Sequence, residues 1–104
     1  MALISLEEAK SYLRVDTEDE DAMIDILLRS AERLCVDVAR LTDEQWNDIN
    51  SRADSFELES ARETMRSVVL YALAYLFEHR EEADHHELTL TLRSLLFSLR
   101  EGVV

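Results

Sequence analysis

Proline is absent from this 104-residue chain, and glycine occurs once, at Gly102. Strands joined by tight turns draw on both residues, so an all-β domain is excluded in favour of a helical one. Cysteine is almost missing as well. Cys35 stands alone, which rules out an internal disulfide and fits a reducing compartment. The longest apolar run, "VVLYALAYLF" at 68–77, is about half of the roughly 20 residues a membrane span requires. The N-terminus shows neither the basic segment nor the apolar core of a secretory signal. A soluble intracellular protein is expected. Positive charge is scarce too: 11 bases, ten of them arginine, face 23 acids, for a net charge of −12. A monomer with that field repels phosphate, which argues against binding DNA or anionic lipid by counterion release.

What is present is a folding sequence. Hydrophobic residues make up 47%, well above the level of a disordered chain. The length fits a single domain over 1–104, with a modest core and no room for a deep active-site cavern.

Four helix-start signals pair a Ser or Thr with a Glu or Gln three residues later: Ser5–Glu8, Thr17–Glu20, Thr42–Gln45 and Ser60–Glu63. In such a box the hydroxyl accepts a free N–H of the first turn, and the later side chain reaches back to the cap residue's own N–H. Helices are expected at about 6–14, 18–40, 43–50 and 57–82. The second carries the stripe Ile24, Leu27, Leu28, Ala31, Leu34, Cys35 and Val38 at helical spacing. The fourth begins with Leu58, Ala61, Met65, Val68 and Ala72, and turns apolar on every side from 68 to 77. A helix apolar all round must be covered all round, which points to a partner subunit. In the C-terminal stretch, Leu88, Leu90 and Leu92 alternate as in a strand, while Leu92, Leu95, Leu96 and Leu99 have helical spacing. The expectation is an extended or loop segment at 88–91 and a helix at 92–101 stopped by Gly102. The fold class is therefore all-α, a small bundle of about four to five helices with one long central helix at about 57–82.

The candidate chemistry is thin. Six acids crowd "LRVDTEDEDAMI" and the residue after it: Asp16, Glu18, Asp19, Glu20, Asp21 and Asp25. A calcium loop needs alternating oxygens, a glycine at its sixth position and a glutamate at its twelfth, and this run lacks that pattern. Acids at a helix start oppose the dipole and contribute roughly 0.3–1 kcal/mol each, although six exceed what capping needs. In "EHREEADHHE", Glu82–His85 forms one Glu-x-x-His pair beside His79 and His86, where a di-metal bundle needs two such pairs and two further glutamates. Glu78–Glu81 and Glu81–Asp84 overlap on one turn, so they cannot build the shared magnesium site of a helical pyrophosphohydrolase. Cys35 lies in the apolar stripe with no His nearby in sequence to activate it. Trp46 fits a core anchor and an interface residue equally well. Tyr71, Tyr75 and Phe77 fit a core, or an interface because of the apolar segment they occupy. No catalytic, metal or cofactor residue is assigned, and no enzyme activity is expected.

The segment "ISLEEAKSYLRVDTEDEDAMIDILLRSAERL" resembles the N-terminal signature of small phage and prophage head–tail connector proteins. In that family a short helix ends in Leu-Arg-Val-Asp, and an acidic cap precedes a helix with paired Ile or Leu residues. A long helix, here "RETMRSVVLYALAYLFEHREEA", and a Leu-rich tail, here "LRSLLFSLRE", follow in the family's order. Relatives often carry a proline before the tail and a Pro-Tyr-Arg ending; this chain reads Phe97-Ser98-Leu99-Arg100.

The resemblance implies a structural virion protein, sometimes called a DNA-packaging protein, made in the bacterial host cytoplasm and placed at the head–tail junction. It implies a homo-oligomeric ring of about twelve copies beneath the portal. The ring extends the channel through which DNA passes without specific binding, and docks the next head-completion or tail protein. No cofactor and no membrane are implied. The expected subunit contact comprises Tyr71, Tyr75, Phe77, Leu95, Leu96 and Phe97; the expected acidic surface comprises Asp16, Glu18, Asp19, Glu20, Asp21 and Asp25. A competing expectation from charge alone is an acidic helical regulator, an anti-repressor or DNA mimic.

Overall fold

Ser5 opens the first helix as its spacing predicts. Its Oγ accepts the Glu8 N–H at 3.1 Å, and Glu8 Oε1 accepts the Ser5 N–H at 3.2 Å. The computed structural model describes residues 3–51, 55–81 and 85–97, and these form five helices with no strand among them. They are α1 (Leu6–Leu13), α2 (Asp21–Ala39), α3 (Asp43–Ser51), α4 (Phe56–Glu78) and α5 (His86–Leu95). The all-α expectation holds, with α4 the longest element.

Two of the four cap boxes form. Thr42 Oγ1 accepts the Gln45 N–H at 3.1 Å and Gln45 Oε1 accepts the Thr42 N–H at 2.9 Å, opening α3. The other two do not. Thr17 lies in a bend outside α2, whose cap position is Glu20 with no side-chain hydrogen bond. Ser60 sits inside α4, because Ser55 starts that helix earlier by accepting the Leu58 N–H at 3.1 Å.

Glycine's scarcity is met in an unusual way at the ends of α1 and α2. Arg14 and Arg40 adopt left-handed backbones, φ 61° and 57°, where glycine is the ordinary choice. Around each, two backbone bonds close the helix: Val15 N–H to Lys10 O with Arg14 N–H to Ser11 O, and Leu41 N–H to Val36 O with Arg40 N–H to Asp37 O. Val15 and Leu41 then tuck against the core, as this motif requires.

α4 ends at Glu78, short of the expected 82, and the side chains that follow fold back on its last carbonyls. His79 Nδ1 lies 2.9 Å from Tyr75 O, and Arg80 Nη1 donates to Phe77 O at 2.6 Å. Segment 88–91 is helical, contrary to the strand-like reading. Leu88, Leu92 and Leu96 are buried at i, i+4, i+8, while Leu90 faces outward. Thr89 and Thr91 fit the helix by donating their hydroxyls to His85 O and Glu87 O one turn back. α5 stops at Leu95; the expected Gly102 stop and Leu99 lie outside the described residues.

The core is built mainly between α2 and α4, with α1 and α5 packing on both and α3 on α4. Ile24, Leu28, Ala31 and Cys35 of α2 meet Met65, Val69, Ala72 and Leu73 of α4 in one buried cluster. Trp46 packs against that cluster while remaining partly open. The molecule is a slab of 38 × 28 × 19 Å. No helix among the described residues is long and apolar enough to cross a membrane.

Candidate subunit interface

The slab covers most of the apolar segment of α4. Val68, Val69, Ala72, Leu73 and Leu76 are buried in the subunit, and Leu70, Tyr75 and Phe77 are packed against its core. Tyr71 is the member of 68–77 that stays exposed, at 42%. The all-round apolar pattern therefore overstated what a partner must cover, since α1, α2, α3 and α5 all lean on α4.

Tyr75 and Phe77 have neighbours of their own. The Tyr75 ring stacks on His79 at 4.1 Å between centroids and meets the His85 ring edge-on at 6.0 Å. The Arg80 guanidinium carbon lies 4.9 Å over the Phe77 ring, a cation–π contact. On α5 and its exit, Leu96 is fully buried in the subunit's own core and so is withdrawn from the expected contact surface. Leu95 and Phe97 are exposed, at 45% and 58%. Of the six expected contact residues, the structure leaves Tyr71, Leu95 and Phe97 as open apolar surface.

The acidic run divides in two. Asp16, Glu18 and Asp19 are exposed, and no ion pair engages them among the described residues. Glu20, Asp21 and Asp25 are half-buried and tied down. Lys10 Nζ reaches Asp21 Oδ1 at 2.7 Å, Arg29 reaches Asp25 at 3.0 Å, and Arg80 approaches Glu20 at 3.9 Å. Asp21 Oδ1 is buried and makes no well-directed hydrogen bond, yet the ammonium beside it compensates its charge. The run thus anchors the start of α2 to α1 and to the turn after α4, and presents three free carboxylates just before it.

The sequence pattern gave no hint of four other apolar residues on the surface: Tyr12, Ile26, Phe56 and Leu90 are all exposed. The signal for Ile26 and Leu90 was their place off the buried stripes of α2 and α5, which becomes visible only once the helix boundaries are known.

No group of three or more His, Cys, Asp or Glu side chains converges on a metal position among the described residues. Cys35 is fully buried, and burial with the nearby Glu32 charge pushes its thiol up to about 12, far from the thiolate a nucleophile needs. The surface depressions are open grooves. One along α4, between Glu59, Arg62, Glu63 and Arg66, carries balanced charge.

A comparison with curated proteins and with solved structures yields no match. A family model described as phage gp6-like head-tail connector protein matches residues 3–102, nearly the whole chain. The match embraces the Arg14 helix end, the acidic run, the long α4 and the Leu-rich α5, the same pieces in the same order that the sequence resemblance rested on. With the family model spanning every helix, the chain belongs to the phage gp6-like head-tail connector proteins, structural components of the junction between phage head and tail.

Proposed function

We propose that the protein is one subunit of a closed ring beneath the phage portal, extending the DNA channel and offering a docking surface to the next head-completion or tail protein. About twelve copies fit the family resemblance, and cyclic closure needs a heterologous contact between unlike faces. The observation that carries this reading is the open apolar set Tyr71, Leu95 and Phe97 on a slab only 19 Å thick. Exposed rings on so small a domain gain free energy when a neighbour covers them, by about 25 cal/mol per Å² of apolar area buried.

The charge supports the channel. Each copy contributes −12, so an assembled ring carries a strongly acidic field that repels DNA phosphates. DNA then slides through without adhering. The DNA-mimic reading needs a strip of unpaired acids; Glu20, Asp21 and Asp25 are each held in an ion pair of their own subunit, which weakens it.

The test is microscopy of negatively stained protein at high concentration, with light scattering. Rings with a central hole are expected. Tyr71→Asp and Phe97→Asp, both at exposed positions, should remove the rings while leaving the helical circular dichroism intact. Rings that survive both substitutions overturn this contact, and a concentrated protein that stays monomeric overturns the ring.

A further inference from the structure

One surface runs against the charge of the whole chain. Along the outer face of α2, Ile26, Arg29, Ser30, Arg33, Leu34 and Asp37 line a shallow groove. A second groove, where α2 ends against α5, shares Asp37 and adds Arg40 and Arg93. A third continues along α5 from Arg93 to Leu90 and Phe97. Because the three share residues they form one strip, with four arginines against Asp37 in its lining and Asp25 beside it. It is a cationic band in a chain of −12.

The strip is open and its charge is only partly answered. Arg29 and Arg33 are well exposed; the first pairs with Asp25 at 3.0 Å and the second with Asp37 at a loose 3.9 Å. No ion pair engages Arg40 or Arg93 among the described residues. Ile26, Leu90 and Phe97 interleave with the arginines and are exposed as well.

The matching negative surface lies at the other end of α2. Asp16, Glu18 and Asp19 stand just before the helix, and Arg40 stands just after it, roughly 28 Å away along a helix of this length. Within one subunit the two charged ends are too far apart to meet. Part of this polarity complements the helix dipole. The dipole does not account for Arg29 and Arg33 in mid-helix, nor for Arg93 contributed by α5.

We infer that the α2–α5 arginine strip is the seat for the acidic segment Asp16–Asp19 of a neighbouring copy of this chain, so that subunits join head to tail. This rests on the ring reading above and gives that ring its second, unlike face. The strip ends at Phe97, one of the open apolar residues of the proposed subunit contact, so the charged and apolar parts are continuous. A second copy fits better than nucleic acid. The apolar residues between the arginines gain nothing from phosphates, and the field of the rest of the chain drives DNA away.

Complementary charge reversal tests it on the full chain. One variant carries Glu18→Arg with Asp19→Arg; the other carries Arg40→Glu with Arg93→Glu. All four sites are exposed, and circular dichroism and urea melts check that each variant folds. Sedimentation velocity on concentrated protein then reads assembly. Each variant alone should associate at least about tenfold more weakly than the unmodified protein, because like charges face each other. An equimolar mixture should regain assembly, since each contact in an alternating ring again joins opposite charges. Salt near 1 M, where screening acts within about 3 Å, should weaken the unmodified assembly. Variants that assemble alone as well as the unmodified protein overturn this contact and leave the ring standing. A mixture that fails to assemble overturns it too. An unmodified protein that never associates overturns both. Retention of duplex DNA that is lost on Arg40→Glu with Arg93→Glu, while assembly is unchanged, assigns the strip to nucleic acid and overturns the inference.

Discussion

Arg66 of α4 reaches Glu8 of α1. Its Nη2 donates to the Glu8 carboxylate, while Nη1 donates to the Leu3 carbonyl at 2.7 Å. One guanidinium thus ties the chain start and the first helix to the longest one, and Leu3 and Ile4 are buried beside it. The Arg66 hydrogen bond first, then the Ser5 N–H, holds the Glu8 carboxyl below its usual range.

The sign of the pH effect follows. A carboxyl whose folded pKa is depressed stabilises the fold above its unfolded value, about 4.3, and loses that contribution as pH falls through the folded value. Glu8→Gln keeps a cap acceptor and removes the charge. The variant should be less stable at pH 7 by under about 1 kcal/mol, because the pair is largely exposed and screened. Below pH about 4 the difference should close. Glu32 on α2 behaves oppositely: burial raises its carboxyl pKa, so ionisation costs stability as pH rises past the unfolded value. Glu32→Gln should therefore raise the melting temperature at pH 7, with the gain fading as pH falls below about 4. Thermal melts of both variants across pH 3–7 check the two signs together.

The cap residues separate by function. Ser5→Ala, Thr42→Ala and Ser55→Ala each remove an acceptor for a first-turn N–H and should cost about 1 kcal/mol. Thr17→Ala and Ser60→Ala carry the same sequence signature without the bond. They should fall within about 0.5 kcal/mol of the unmodified protein, Ser60→Ala on the stabilising side because alanine suits a helix interior. Urea midpoints at constant slope give the comparison.

How far the sequence could be read depended on what else competed for each residue. The α2 stripe from Ile24 to Cys35 was legible because Ile24, Leu28, Ala31 and Cys35 recur at helical spacing and all enter the buried cluster, so spacing and burial coincide. Segment 88–91 was misread because Leu88 and Leu92 serve a helical stripe while Leu90, between them, serves the surface; the alternation is the same in either structure. The end of α4 was overrun because no glycine or proline marks it, and the His79 and Arg80 side chains that bond back to its last turn are not distinguished from more helix by sequence patterns. For the candidate interface, Leu95, Leu96 and Phe97 looked alike. Only the rotation of α5 against α2 and α4 decides that Leu96 turns inward and its two neighbours outward. The arginine strip was invisible for the same reason, since Arg40 and Arg93 are far apart in sequence and adjacent in space.

Cys35 offers a probe of the core itself. It is fully buried between α2 and its neighbours, and its thiol is pushed up to about 12. Alkylation needs both exposure and thiolate, so the folded protein should react with iodoacetamide at pH 8 at least about a thousandfold more slowly than the urea-unfolded chain. Labelling followed by mass across a urea series should rise only with the unfolding transition. Fast labelling at zero urea would place Cys35 outside the core.

Arg14 and Arg40 make the sharpest separation between folding and assembly. A left-handed backbone costs a residue with a side chain roughly 1–2 kcal/mol, and glycine avoids that cost while giving back part of it in unfolded-chain entropy. Both positions close their helices with backbone bonds that glycine would preserve. Arg14→Gly and Arg40→Gly should each stabilise the subunit by about 0.5–1 kcal/mol, read from urea midpoints. Their assembly should then diverge. Arg14 lines none of the three grooves of the strip, so its loss should leave subunit association close to that of the unmodified protein. Arg40 stands in the groove with Arg93, so its variant should fold more stably and yet associate more weakly. A strained arginine that weakens assembly when relieved is one whose side chain, and not its backbone, serves the contact. If Arg40→Gly gains stability and assembles unchanged, its guanidinium has no part in joining subunits.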